Sequence, residues 1–247
     1  MTESLMHALI GGFIGVLINY LADVLPRTRK LSKPVCQHCG KTFSLRGYLF
    51  SLKCPECKSN PPARNWVVLI CSIIAAVLMG IYPPAGLSFW AAIPALIFLG
   101  MIMVIDIEHH VVLIETSVTG LVLFLIYGWL MQGILVTAIG GIAGFVIMIV
   151  IYYFGIFFSK GLGKIRKEDK TEEGMGFGDV YAGAFLGLFT GWPFVIGMII
   201  MAIVVSGLFS FVYLLVKSIR KDYKMFSTIP YTPFLILGAI ATFYIQF

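Results

Sequence analysis

Long apolar runs separated by short polar connections make up most of this chain, and they predict its elements directly. Eight runs are readable, at roughly 5–24, 66–83, 88–106, 112–131, 134–158, 178–191, 194–216 and 230–247. A helix of about 18 residues or more crosses the roughly 30 Å of bilayer hydrocarbon, and most of these runs reach that length. The sixth is short and the fifth long, so the glycine-rich middle can be re-partitioned without changing the parity of the count. None shows the period-2 alternation of a membrane strand. The pattern predicts an all-α polytopic membrane protein with about eight transmembrane helices.

Composition agrees: hydrophobic residues are 59%, charged residues 12%, and mean hydropathy is +0.95. Soluble domains carry about 25% charge. The first run does not read as a cleavable signal peptide, because Glu3 and His7 precede it without any Lys or Arg, while basic residues follow it.

All eighteen Lys and Arg residues lie in three segments: nine from Arg27 to Arg64, five from Lys160 to Lys170 and four from Lys217 to Lys224. With eight spans these segments share one side, which the positive-inside rule makes cytoplasmic, and both termini then lie outside. Topology therefore accounts for the net charge of +6 and the pI near 9.1. Nucleic-acid binding is not indicated, because no basic residue is interleaved with stacking aromatics on a soluble domain. The organisation expected is a first transmembrane helix over 1–24, a small cytoplasmic zinc-binding domain over 25–65 between helices 1 and 2, and a membrane domain of about seven helices over 66–247.

Within 25–65 stand Cys36-Gln37-His38-Cys39 and Cys54-Pro55-Glu56-Cys57, two CxxC knuckles fourteen residues apart. This spacing fits a structural zinc site closed by four thiolates, Cys36, Cys39, Cys54 and Cys57. Disulfides are disfavoured on the cytoplasmic side. A segment this small buries little apolar core, so the metal supplies much of its folding free energy. His38 and Glu56 read as exposed loop residues, and Cys71, inside the second run, reads as a small buried apolar residue.

Only twelve residues are acidic, and two of them, Asp106 and Asp179, end or begin apolar runs. The charge-derived topology puts both on the cytoplasmic face. A carboxylate at a membrane boundary is costly, so each is a candidate for acid/base chemistry, ion binding or helix–helix hydrogen bonding, or is an interfacial residue reaching water. If the two meet, they cannot both ionise cheaply and one proton is shared, as in aspartic proteases. Asp179 closes Gly176-Phe177-Gly178-Asp179, where Gly176 and Gly178 permit a sharp turn and a close backbone approach. A plain helix cap is the competing reading of Asp179. Near Asp106, His109 and His110 read as interfacial, and Glu108 and Glu115 remain alternative partners.

These motifs together make the chain resemble the type IV prepilin peptidases, membrane aspartic proteases of the GxGD type, over nearly its whole length. The matching pieces are Gly15-Val16-Leu17-Ile18-Asn19 with Leu25-Pro26, the two knuckles, Ile105-Asp106, Gly174 to Val180, and Ile229 to Phe234 in the pattern Ile-Pro-Tyr-x-Pro-Phe. The resemblance implies a catalytic dyad of Asp106 and Asp179 and zinc on the four cysteines. It also implies cleavage of the basic leader from type IV prepilins or pseudopilins, at the cytoplasmic face of a bacterial inner membrane. Many members then methylate the new N-terminus with S-adenosylmethionine. Two departures stand out: Val112-Leu113-Ile114-Glu115 lacks the proline usual after the first aspartate, and Val24 replaces the usual Arg before Leu-Pro.

Glu168, Asp169, Glu172 and Glu173 could attract a basic leader or form a solvated loop. Gly140 and Gly144 offer a small-xxx-small face that serves dimerisation or internal packing equally, which leaves the oligomeric state open. Two rival functions also stay open, a peptidase without methyl transfer and an ion- or proton-coupled transporter with a zinc docking domain. The partners expected are a pilin-like substrate and the lipid bilayer.

Overall fold

The structure, a computed structural model, describes residues 2–36, 39–42, 47–48, 57, 62–84, 86–166, 176–219 and 230–245. Among the described residues, eight helices follow the eight apolar runs: α1 (Thr2–Thr28), α2 (Ala63–Ile81), α3 (Phe89–His109), α4 (Ile114–Gln132), α5 (Ile134–Arg166), α6 (Phe177–Thr190), α7 (Phe194–Ile219) and α8 (Thr232–Ile245). The described residues contain no strand beyond an isolated bridge between Val35 and Thr42. Six of these, α1 to α5 and α7, are the helices among the described residues that are long and apolar enough to cross a membrane. The other two, α6 and α8, have 14 residues each. At 1.5 Å per residue they extend only about 21 Å, less than the roughly 30 Å of hydrocarbon.

Contacts group the chain into two compact units, Met1–Ile105 and Asp106–Phe247. In the first, α1 packs on α2 through small residues spaced one turn apart. A Cβ on Gly11 would lie 2.7 Å from the Ile73 Cα, and one on Gly15 would lie 2.9 Å from the Leu69 Cα. Neither backbone could approach so closely with a larger residue at those positions. On α2 the buried stripe is Asn65, Ser72 and Ala76. Cys71, expected to be buried, lies off that stripe and is exposed, where a weakly polar thiol suits an apolar surface.

The α1–α2 pair is locked by polar side chains near the end of α1. Arg64 forms an ion pair with Asp23, Nη2 to Oδ1 at 2.7 Å, and donates to Asn65 Oδ1 through Nε at 3.0 Å and Nη2 at 2.8 Å. Asn19 Nδ2 donates to the Asn65 carbonyl at 3.1 Å. The Tyr48 hydroxyl donates to Asp23 Oδ2, and Tyr48 packs with Tyr20 and Val24. Burial first, and then the Asp23 carboxylate beside it, push the Tyr48 hydroxyl well above its ordinary range, so it stays a donor. This tyrosine ties the cysteine segment to the helices.

In the second unit α6 is the central helix and packs against α4, α5, α7 and α8. Residues on all its sides are buried, from Asp179 and Val180 through Phe189 and Thr190, as expected of a helix apolar all round. Its neighbour α5 comes within backbone contact: a Cβ on Gly140 would run into the Gly187 carbonyl, and one on Gly144 into the Gly183 carbonyl. The small-residue face of the fifth run is thus consumed inside the chain. Phe124 of α4 stacks on Phe185 with ring centroids 5.8 Å apart, and Phe189 bridges Phe124 at 4.6 Å and Phe243 of α8 at 4.4 Å. These aromatic contacts tie α4, α6 and α8 into one core. A helix enclosed on its sides in this way need not reach both membrane faces, because its backbone lies within protein rather than against lipid.

Candidate active site

Three helix ends in the second unit supply the site. Asp106 lies in the last turn of α3, which stops because His110 adopts a left-handed conformation with φ of 53°. The His110 N–H donates back to the Asp106 carbonyl at 2.9 Å, closing the helix as an αL cap does. Asp179 lies in the first turn of α6. Gly176 occupies the cap position, and the Asp179 N–H donates to its carbonyl at 3.1 Å. The Asp179 carboxylate turns back toward the Gly176 N–H, the acid half of a capping box. Asp179 is therefore not the cap residue itself.

The two glycines before Asp179 differ. A Cβ on Gly178 would lie 2.7 Å from the Val112 Cβ, so α6 begins pressed against the link between α3 and α4. At Gly176 a Cβ would meet nothing closer than the Gly178 N at 3.9 Å. Phe177 between them points outward, its ring 5.4 Å from Tyr152 and 5.3 Å from Tyr181.

The third helix end is the start of α8. Phe234 and Leu235 donate their N–H groups to the Tyr231 carbonyl, at 3.0 and 3.3 Å, and Pro233 sits in the first turn, where a missing N–H costs nothing. Thr232 opens the helix and is 0% exposed. Its hydroxyl donates to Asp179 Oδ1 at 2.6 Å. Its main-chain N–H, one of the free donors of a helix start, interacts with both the Asp106 and the Asp179 carboxylates.

The two aspartates are brought together and enclosed: Asp106 is 4% exposed, Asp179 is 7% exposed, and the charge of Asp179 acts on Asp106. Two buried atoms here, Asp106 Oδ2 and the Tyr231 hydroxyl, have no hydrogen-bond partner among the described residues. A free acceptor and a free donor beside a second carboxylate suit a site that takes and gives protons on a bound group. Glu108, His109, His110 and Glu115 are all exposed, so Asp106 is the acid of that stretch that is buried near Asp179.

In the other unit, Cys36, Cys39 and Cys57 place their sulfurs within 4.8 Å of one another, with 3.6 Å between those of Cys36 and Cys57. Local folding pairs the first two, and Cys57 joins them from 21 residues beyond Cys36. Cys36 accepts from the Gly40 N–H at 3.0 Å and donates its own N–H to the Lys41 carbonyl at 2.9 Å, while Gly40 takes φ of 71° to complete the turn. Zinc bound tetrahedrally at about 2.3 Å holds thiolates roughly 3.8 Å apart, so the three thiols fit that metal. Cys54 lies outside the described residues, as do His38, Glu56, Glu168, Asp169, Glu172 and Glu173.

Residues 93–211 match the model of the type IV leader peptidase family. The matched segment is a little under half of the chain. It contains α3 from its second turn, both aspartates and most of α7, while the cysteine knuckles and Thr232 lie outside it. No curated protein and no solved structure matches the chain.

Two groups escaped the sequence reading. Thr232 stands at the variable position of Ile-Pro-Tyr-x-Pro-Phe, where nothing in one sequence marks a functional hydroxyl. Asp23 and Arg64 carried a usable signal, opposite charges near the ends of the first two apolar runs.

Proposed function

We propose that the chain is an aspartic endopeptidase that removes the basic leader from type IV prepilins or pseudopilins at the cytoplasmic face of the membrane. The observation that carries this reading is the enclosure of Asp106 and Asp179 in one site within the type IV leader peptidase segment. The two carboxylates share one proton. The ionised member takes a proton from water, the water oxygen bonds to the scissile carbonyl carbon, and the protonated member gives its proton to the departing nitrogen as the C–N bond breaks. The three basic clusters support a cytoplasmic position for this site, where a positively charged leader would remain while its apolar helix enters among the spans. Zinc held by Cys36, Cys39, Cys54 and Cys57 is structural, since four thiolates leave no open coordination position. Methyl transfer from S-adenosylmethionine to the new N-terminus would follow cleavage, and its support is the family resemblance alone.

The test is mass spectrometry of the N-terminus of a co-expressed prepilin, which reads cleavage position and methylation together. Asp106→Asn and Asp179→Asn should each lower cleavage at least about a hundredfold while the protein remains inserted. Normal processing by both variants would sink the dyad, and ion-dependent transport without proteolysis would replace it.

A further inference from the structure

We infer that Thr232 is a positioning residue for cleavage: its hydroxyl holds Asp179 as the member of the pair that accepts the proton of water, leaving Asp106 as the donor. This rests on the peptidase reading above and assigns roles within its dyad. Three features of the site point the same way.

The first is the Thr232 hydroxyl itself, which donates to Asp179 Oδ1 at 2.6 Å from a fully buried position. A hydroxyl donating to a carboxylate oxygen favours the ionised carboxylate. The second is helix geometry. Asp179 sits in the first turn of α6, where free N–H groups favour negative charge, and the Gly176 N–H faces it directly. Asp106 sits in the last turn of α3, where free carbonyls disfavour negative charge. The third is the pattern of unpaired atoms. Asp106 Oδ2 has no partner among the described residues, whereas Asp179 Oδ1 is engaged. An O–H on Asp106 would then be free to point at a substrate nitrogen.

In the resulting cycle, Asp179 takes one proton from water as the oxygen attacks the carbonyl carbon. Asp106 gives one proton to the nitrogen as the C–N bond breaks. The proton gained by Asp179 then returns to Asp106, so the pair ends as it began.

The experiment compares Thr232→Val, which keeps the shape and removes the hydroxyl, with Thr232→Ser, which restores it. Both are assayed on a purified prepilin in detergent, alongside Asp106→Asn and Asp179→Asn. Thr232→Val should lower kcat about tenfold with KM within about twofold, and Thr232→Ser should recover at least about half of the wild-type kcat. The infrared band of a protonated carboxyl at neutral pH should vanish in Asp106→Asn and persist in Asp179→Asn. Should Thr232→Val fail to insert, Thr232→Ala against Thr232→Ser makes the same comparison. Wild-type kcat in Thr232→Val with both Asn variants inactive overturns the role of Thr232 and leaves the peptidase standing. Equal losses in Val and Ser, a change confined to KM, or a carboxyl band lost with Asp179 rather than Asp106, also overturns it. Active Asn variants instead overturn the peptidase reading itself.

Discussion

Among the described residues the two units differ in where buried polar atoms lack partners: Asn19 Oδ1 alone in Met1–Ile105, and Asp106 Oδ2 with the Tyr231 hydroxyl in Asp106–Phe247. In Met1–Ile105, Asp23, Arg64, Asn65 and Tyr48 satisfy one another through an ion pair and several hydrogen bonds, and helix contact is made by Gly11 and Gly15. In Asp106–Phe247 the helices also meet at glycines, but the polar atoms at the centre are left open: Asp106 Oδ2 and the Tyr231 hydroxyl are buried without partners among the described residues. A satisfied network holds structure. An unsatisfied buried atom costs about 1–3 kcal/mol and persists where something else, such as a reacting group, completes it. Two such atoms grouped around a second carboxylate mark a working site more sharply than hydropathy does, since both units are similarly apolar.

That contrast can be broken most forcefully at the metal. Cys36→Ser should reduce zinc from about one ion per chain to near zero, read by elemental analysis, because a structural site contributes on the order of 10 kcal/mol to its own segment. Hydrogen exchange should then rise over residues 29–42 and stay unchanged in α4 to α8. An equal rise in both units would show that the division between them is not energetic.

A smaller effect is expected at the paired glycines. Gly178→Val drives a side chain into Val112 and should cost about 1–3 kcal/mol of local packing, with prepilin cleavage falling tenfold or more. Gly176→Val meets open space and should change cleavage less than about threefold. Equal losses at the two positions would mean that the glycines serve substrate approach rather than the fit of α6 against the α3–α4 link.

The smallest change is Tyr48→Phe, which removes one hydrogen bond to the Asp23 carboxylate and should cost the first unit about 1–2 kcal/mol. A lower thermal unfolding midpoint with unaltered cleavage is the expected pair of results. Reduced cleavage at wild-type stability would give this network a catalytic part.

Much of this was legible in the chain. Eight apolar runs became eight helices at nearly the expected positions, because burying apolar length as hydrogen-bonded helix is the one local solution open to a membrane segment. The CxxC spacing placed Cys36 beside Cys39, since a knuckle is a local turn, here completed by Gly40, and the second knuckle brought Cys57 to them from 21 residues beyond Cys36. Cys71 went the other way: which face of α2 is covered depends on α1, and one sequence does not say which face a neighbour will take.

What the sequence determined by itself is therefore what depends on neighbours along the chain: helix positions and the turn of the first knuckle. Tertiary structure alone decided that α6 would be enclosed and that α8 would bring Thr232 to Asp179 across 53 residues. It also decided that Glu108 and Glu115 would face outward while Asp106 turned in. Those outcomes follow from which helix surfaces pack together. That is a property of side-chain shape summed over several helices, and it has no signature at any single position.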